Sequence, residues 1–319
     1  MKRAIVTGAA GFIGANLARR LLEDGVQPYL FTAPGSARWR LEELTGDAPI
    51  VEVDLADEDG VASAVAEARP ELIFHLAAHG GYSWQTDHGA ILRANVLGTS
   101  NLLEACLRHS FEVFVNTGSS SEYGLKDHAP TEDESIDPNS TYAVSKAAAT
   151  MLCRLAAVRT GANVCTLRLY STYGPWEEPK RLVPALAVEG LRGRLPPLVD
   201  PTIARDFVWV GDVVDAYLAA GRVTHAEPGA VYNIGTGVQT TLADAVEATR
   251  TVLGLGVLPA WGSMPARSWD TNCWVAESSK AKEQLGWQPT LDFRAGLAAY
   301  ADWLRERPTV LAFYESQRA

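Results

Sequence analysis

The chain has 319 residues, 47% hydrophobic and 21% charged, and its 28 Lys and Arg against 38 Asp and Glu give a formal charge of −10. At roughly 150 residues per domain this makes about two domains or one large one, with a composition able to bury a core. With no basic excess and no Lys/Arg run to neutralise phosphates, the balance argues against a nucleic-acid partner, although single arginines remain free to hold one anionic ligand. The four cysteines, Cys106, Cys153, Cys165 and Cys273, form no CxxC pair, and no clustered His/Cys pattern appears. Neither a disulfide framework nor a metal site is expected, and the thiols read as reduced. Residues 1–14 lack a signal-peptide pattern and no run approaches 18 apolar residues, so the expectation is a cytoplasmic protein without membrane contact.

The predicted elements begin with a strand over 4–7 and a helix over 14–23, whose Leu17, Leu21 and Leu22 share a face. Apolar runs at 29–31, 50–53, 72–76, 111–116 and 164–169 predict further strands, with helices over 61–68 and 95–108 between them. Near-continuous apolar strands alternating with helices predict an α/β fold, a doubly wound parallel sheet covered on both faces. After Tyr170 prolines interrupt the chain at 175, 179, 184, 196, 197 and 201, and tryptophan becomes frequent. Helices are predicted near 213–220, 242–253 and 293–305. The expected division is a dinucleotide-binding domain over 1–169 with returns at about 206–235, through runs 207–210 and 231–234. Residues 170–205 and 236–319 make a smaller C-terminal α/β lobe for substrate.

The strand at 4–7 leads into Gly8-Ala9-Ala10-Gly11-Phe12-Ile13-Gly14 and then a helix. Glycines at this junction permit a tight turn and close approach of backbone N–H groups to a pyrophosphate at the helix N-terminus, which points to a Rossmann-type dinucleotide site. About 20 residues on, NAD-binding proteins commonly carry an acid for the adenosine ribose. Residues 31–40 contain none. Thr32 stands there, and Arg38 and Arg40 read either as contacts to a 2′-phosphate, which leans toward NADP, or as loop surface. Asp54 and Leu55, after the third strand, are further candidates for the adenine end.

Tyr142 and Lys146 stand four apart on a predicted helix, capped by Asn139 or Ser140, so phenol and ammonium face one ligand together. A phenol with its ordinary pKa of about 10 is a poor base at neutral pH; a nearby lysine charge and an oxidised nicotinamide both lower it. Upstream, Ser119, Ser120 and Ser121 follow a strand at the carboxyl edge of the sheet, where open α/β sheets bind ligands. Ser119 is a candidate to hold the substrate oxygen while Tyr142 moves its proton.

These features together resemble the extended short-chain dehydrogenase/reductases, specifically the nucleotide-sugar epimerase/dehydratase family, over nearly the whole chain. The carrying motifs are TGAAGFIG at 7–14, HLAA at 75–78, Asn95 with Gly98 and Thr99, YxxxK at 142–146, RLYSTYGP at 168–175, RDFV at 205–208, YNIG at 232–235 and LGWQP at 285–289. The resemblance implies Ser119, Tyr142 and Lys146 as the catalytic hydroxyl, acid/base and lysine. It implies NAD or NADP as cofactor, held by Gly8, Gly11, Phe12, Ile13, Gly14, Thr32, Arg38, Asp54, Leu55, Leu76, Ala77, Ala78, Asn95, Thr117, Tyr142, Lys146 and Tyr170. Substrate contacts are expected from His79, Ser119, Ser120, Ser121, Tyr142, Ser171, Arg181, Arg205, Arg267 and Asp270, the arginines addressing a nucleotide diphosphate. Trp176, Trp209 and Trp269 are candidates to stack on its base or to pack. A homodimer through the helices near 99–108 and 142–158 is also implied.

Departures from the family pattern narrow the reaction. Sugar 4,6-dehydratases place acids between positions 119 and 123; here Ser120 and Ser121 stand instead, and Glu122, read as strand, turns to the other face. The Cys and His that 3,5-epimerising reductases use near 121 and 176 are absent. The expected reaction is therefore epimerisation of a nucleoside-diphosphate hexose through a 4-keto intermediate, with an NADPH-dependent 4-ketoreductase as the alternative. From another class, a non-catalytic dinucleotide-sensing protein remains open.

Overall fold

A computed structural model describes residues 1–264 and 271–318. The chain order runs β1 (Arg3–Thr7), α1 (Phe12–Glu23), β2 (Gln27–Thr32), β3 (Ile50–Glu52), α2 (Glu58–Ala68), β4 (Leu72–His75), α3 (His88–Leu92), α4 (Gly98–Leu107), β5 (Val113–Ser119), α5 (Thr141–Thr160), β6 (Val164–Leu169) and β7 (Ser171–Tyr173). There follow α6 (Leu182–Leu191), β8 (Ala204–Arg205), β9 (Phe207–Trp209), α7 (Val210–Ala220), β10 (Ala230–Ile234), β11 (Thr240–Thr241), α8 (Leu242–Leu253), α9 (Ser279–Leu285), α10 (Phe293–Arg305) and α11 (Pro308–Ser316). Seven strands make one parallel sheet in the order β10-β6-β5-β4-β1-β2-β3, a Rossmann-like α/β fold.

Alternate residues of β1 fall into two cores because side chains point to opposite faces of a strand. Ala4 and Val6 join Leu17, Leu21 and Tyr217 on the side of α1 and α7, while Ile5 joins Val61, Leu102 and Cys153 on the side of α2, α4 and α5. A third core unites Tyr173, Leu186, Phe207, Val246, Leu297 and Tyr300 from β7, α6, β9, α8 and α10.

The two apolar runs expected to return to the sheet differ in their fate. Ala230–Ile234 enters it beside β6, whereas Phe207–Trp209 pairs with Ser171–Tyr173 in a separate two-stranded sheet. The reason is packing: Phe207 and Trp209 meet Tyr173 and Phe293 in aromatic contacts that the sheet edge does not offer. The predicted helix over 95–108 opens with one π-helical stretch, Arg93–Leu97, before α4. Of the two candidate caps for α5, Ser140 performs the role, its hydroxyl accepting from the Ala143 N–H at 3.1 Å.

Candidate active site

The carboxyl ends of β1, β4 and β5 lie where strand order reverses, and the candidate residues gather there. Gly8 follows β1 at φ +64°, a conformation L side chains rarely adopt. A Cβ on Gly8 would stand 2.8 Å from the Ala77 backbone, and one on Gly14 would stand 2.4 Å from the Gly8 carbonyl oxygen. Gly11 caps α1 without a side-chain hydrogen bond, so nothing competes for the N–H groups of its first turn, at Phe12 and Ile13. Thr32, at the end of β2, is buried and its hydroxyl has no partner among the described residues; the same holds for the buried phenol of Tyr170. Asp54, His79, Asp87 and Arg93 border an open cleft, Asp54 lying 3.7 Å from Arg93. Two of these features fit a dinucleotide: side-chain-free backbone at the turn and the positive end of a helix.

Arg38 and Arg40 part company. Arg38 is exposed and ion-paired with Glu52, so its charge is already answered by a carboxylate. Arg40, read as a 2′-phosphate contact or as loop surface, is neither: it is 7% exposed, donates from Nε to the Trp176 carbonyl at 2.6 Å and lies over the Trp39 ring. Asn16 completes the tie, donating to the Pro175 carbonyl at 2.9 Å. Trp176 is buried against Trp39 and Trp303, and the half-buried Trp209 packs against Tyr173, which is packing rather than a stacking platform.

After β4, Asn95 fixes the 76–79 segment. Its side chain accepts from the His79 N–H at 2.7 Å, donates to the His79 carbonyl at 2.8 Å and donates to Ser145 of α5 at 2.8 Å. The His79 ring takes a 3.2 Å contact from Gln85. Leu76 and Ala77 donate their N–H groups to Thr7 Oγ1, and Leu55 holds Asn101 through its carbonyl. Thr117, expected toward the cofactor, is committed to the Tyr217 hydroxyl at 2.5 Å.

Ser119, Tyr142 and Lys146 do come together. β5 ends on Ser119, whose hydroxyl neighbours the Tyr142 phenol and accepts from the Ser121 N–H at 3.1 Å. Burial pushes the phenol of Tyr142 up, against the neighbouring Ser119 hydroxyl and the charge of Arg181. Lys146 is 2% exposed, and burial pushes its ammonium down to about 8 although Glu122 and Cys153 favour the charged form. No acceptor for its Nζ exists among the described residues.

Glu122 lies in a 3₁₀ turn, Ser120–Tyr123, rather than in a strand, because the Ser119-Ser120-Ser121-Glu122 pattern forms a capping box. Its carboxylate turns behind the site into full burial. It is this turn, not strand alternation, that keeps Glu122 out of the cleft. Ser120 is buried in the same turn and Ser121 half-buried. Ser171 in β7 is half-buried and takes part in the sheet through its N–H. Arg181 acts on both Tyr142 and Tyr82 and sits 3.5 Å from Glu177, a residue the motif reading passed over. Burial pushes the Glu177 carboxyl up to about 8. Arg205 donates to the Ala204 carbonyl and lies over Trp274. Arg267, Trp269 and Asp270 lie outside the described residues. Among the described residues no group of His, Cys, Asp and Glu is placed to hold a metal ion, and no helix is long and apolar enough to cross a membrane.

A Rossmann-like sheet with a glycine turn at its switch point and a Ser, Tyr and Lys at its carboxyl edge defines a dinucleotide-dependent enzyme class. The model of the NAD dependent epimerase/dehydratase family matches residues 4–235, and the chain belongs to that family. Its relatives are NAD-dependent sugar-nucleotide enzymes. It is 33% identical over 322 residues to a dTDP-glucose 4,6-dehydratase of Streptomyces antibioticus, covering 95% of this chain and 92% of the relative. It is 32% identical over 315 residues to a UDP-glucose 4-epimerase of Mycolicibacterium smegmatis, covering 96% and 99%. Among solved structures, MoeE5 in complex with UDP-glucose and NAD superimposes with a TM-score of 0.83 at 33% identity, over 96% of this chain and 99% of that one.

Proposed function

We propose that the chain is an NAD-dependent 4-epimerase of nucleoside-diphosphate hexoses, with UDP-glucose as the first substrate to try. The observation that carries this reading is the Ser119–Tyr142–Lys146 group with serines at 120 and 121 and Glu122 buried behind it. Elimination of water needs an acid facing the sugar, and this turn presents none. A bound dinucleotide supplies a reversible hydride acceptor. Tyr142 takes the proton of the C4 hydroxyl and later returns it to the 4-keto sugar, Ser119 steadies that oxygen, and the charge of Lys146 supports the phenolate. Arg205 and Arg181 are the phosphate contacts this reading assigns among the described residues, leaving the hexose free to turn.

Replacing Tyr142 with Phe should lower turnover of UDP-glucose by about 10²-fold or more, with an unchanged circular dichroism spectrum. Undiminished turnover overturns the assignment, and a 4-keto-6-deoxy product from the parent protein replaces epimerisation with dehydration. The choice of NAD rests on Arg38 being paired with Glu52 and Arg40 being buried in structural bonds. Mass spectrometry of the dinucleotide released on denaturation is expected to find NAD; NADP would return Arg38 to the site and favour the ketoreductase. We infer further that two copies associate through α5, whose outer face carries exposed Val144, Met151, Leu155 and Val158.

A further inference from the structure

Directly behind Ser119 lies a group that the chemistry above does not use. Glu122 is fully buried, and its two oxygens are divided among three elements. Oε1 accepts from the Ser119 N–H at 2.8 Å and from the Thr150 hydroxyl at 3.1 Å; Oε2 accepts from Arg168 Nε of β6 at 2.9 Å. Thr150 stands one helical turn beyond Lys146 and two beyond Tyr142, so all three share a face of α5. One carboxylate thus spans the end of β5 and the helix face bearing the phenol and the ammonium. The backbone is shaped around it: a Cβ on Gly118 would stand 2.7 Å from Glu122 Oε1. Arg168 is 5% exposed, lies over the Tyr123 ring and supplies the countercharge that a buried carboxylate requires.

We propose that Glu122 is a positioning residue, which through Thr150 and the Ser119 N–H fixes the Ser119 hydroxyl against the Tyr142–Lys146 face of α5. This inference rests on the reading of those three residues as the proton-handling group. Its physical content is both geometric and electrostatic. A tie at each end holds Ser119 and Tyr142 in register, and displacement by about 1 Å in such a group can cost on the order of 10²-fold in rate. The negative charge also favours the protonated forms of Lys146 and Tyr142. Around Lys146 the ionisable neighbours are Glu122, Cys153 of its own helix and His75 of β4. Around Tyr142 they are Lys146 of its own helix, Glu122, Arg181, Tyr82 and Tyr217. Around Glu122 they are Arg168, Lys146, Cys153 and Tyr142. Removing the carboxylate charge lowers the pKa of both the lysine and the phenol, so the whole pH window of turnover moves toward acid.

The test uses the purified protein with NAD and UDP-glucose. E122Q keeps the shape and removes the charge. The expected result is a kcat lower by about tenfold to a hundredfold, KM for the nucleotide sugar within about twofold, and a pH profile moved down by about half a unit or more. Thr150→Val cuts one tie and keeps the charge, so kcat falls severalfold with the profile in place. A second readout needs no turnover: the phenolate absorbance titration, taken as the difference from Y142F, should move to lower pH in E122Q. If E122Q does not fold, the charge-neutral pair E122Q/R168Q carries the same expected fall in kcat, with a smaller movement of the profile because a positive charge leaves with the negative one. Parent-like kcat with an unmoved profile in whichever of these variants folds, together with parent-like Thr150→Val, overturns the proposal. A fully active Y142F instead overturns the underlying reading, whatever E122Q does; an inactive Y142F beside a parent-like E122Q removes Glu122 alone.

Discussion

Between Thr7 and Thr99 the His75 ring makes two hydrogen bonds, 2.7 Å from Nδ1 and 2.9 Å from Nε2. Thr7 Oγ1 already accepts from Leu76 and Ala77, so its own proton goes to Nδ1. Thr99 gives its proton to the Asn95 carbonyl at 2.6 Å, so it accepts from Nε2–H. The ring therefore has a place for one proton, and a second would set donor against donor. Burial pushes its pKa from the ordinary 6.5 down to about 3. Below 6.5 the unfolded chain binds a proton that the folded chain refuses, so stability falls as the pH drops from 6.5 toward 3. The loss is about 1.4 kcal/mol per unit, on the order of 4 kcal/mol across the window. Urea denaturation between neutral and acid pH should show this slope in the parent and a flatter one in His75→Gln; equal slopes would place the acid sensitivity elsewhere. The neutrality of His75 was not legible in HLAA, because it depends on threonines 68 residues before and 24 residues after it.

The helix α5 works on two faces. Its inner face carries Tyr142, Lys146 and Thr150 at spacing four, and its outer face carries Val144, Met151, Leu155 and Val158 at spacings seven, four and three. Covering exposed apolar side chains of this size contributes roughly 1.5–3 kcal/mol each when burial is complete. Sedimentation velocity should therefore find a dimer for the parent and a monomer for Met151→Glu/Leu155→Glu, with circular dichroism unchanged; an unchanged dimer would move the interface off α5. The inner spacing was readable from the sequence because a helical period is local. The role of Glu122 was not, since its neighbours Thr150 and Arg168 lie 28 and 46 residues further on. The Ser-x-x-Glu pattern at 119–122 was nevertheless a usable signal for a cap, and reading the segment as strand concealed it.

Across the whole molecule, the alternation of apolar runs and helices revealed the parallel sheet, because strands buried on both faces carry a near-continuous apolar signature. What it missed was assignment between layers. Phe207–Trp209 has the same apolar character as Val231–Ile234, and only the aromatic cluster around Tyr173 decides that the first stays out of the sheet. Arg40 was misread for a related reason: an arginine beside a loop looks solvated until the Trp176 carbonyl is brought to it from 136 residues away.

The seventh strand of the sheet, Ala230–Ile234, reaches β6 only after about sixty residues, which build part of the other lobe and then α7 on the face of the sheet. A chain emerging from the ribosome thus presents Val164–Leu169 as an unpaired edge until residue 234 has been made. The lobe synthesised in between cannot be cut away as a module, since the strand that closes the sheet is threaded behind it. Unpaired strand edges are where chains join the wrong partner. The stretch of synthesis between β6 and β10 is therefore an interval in which the nascent chain is exposed to mispairing, and one that a chaperone would usefully shield.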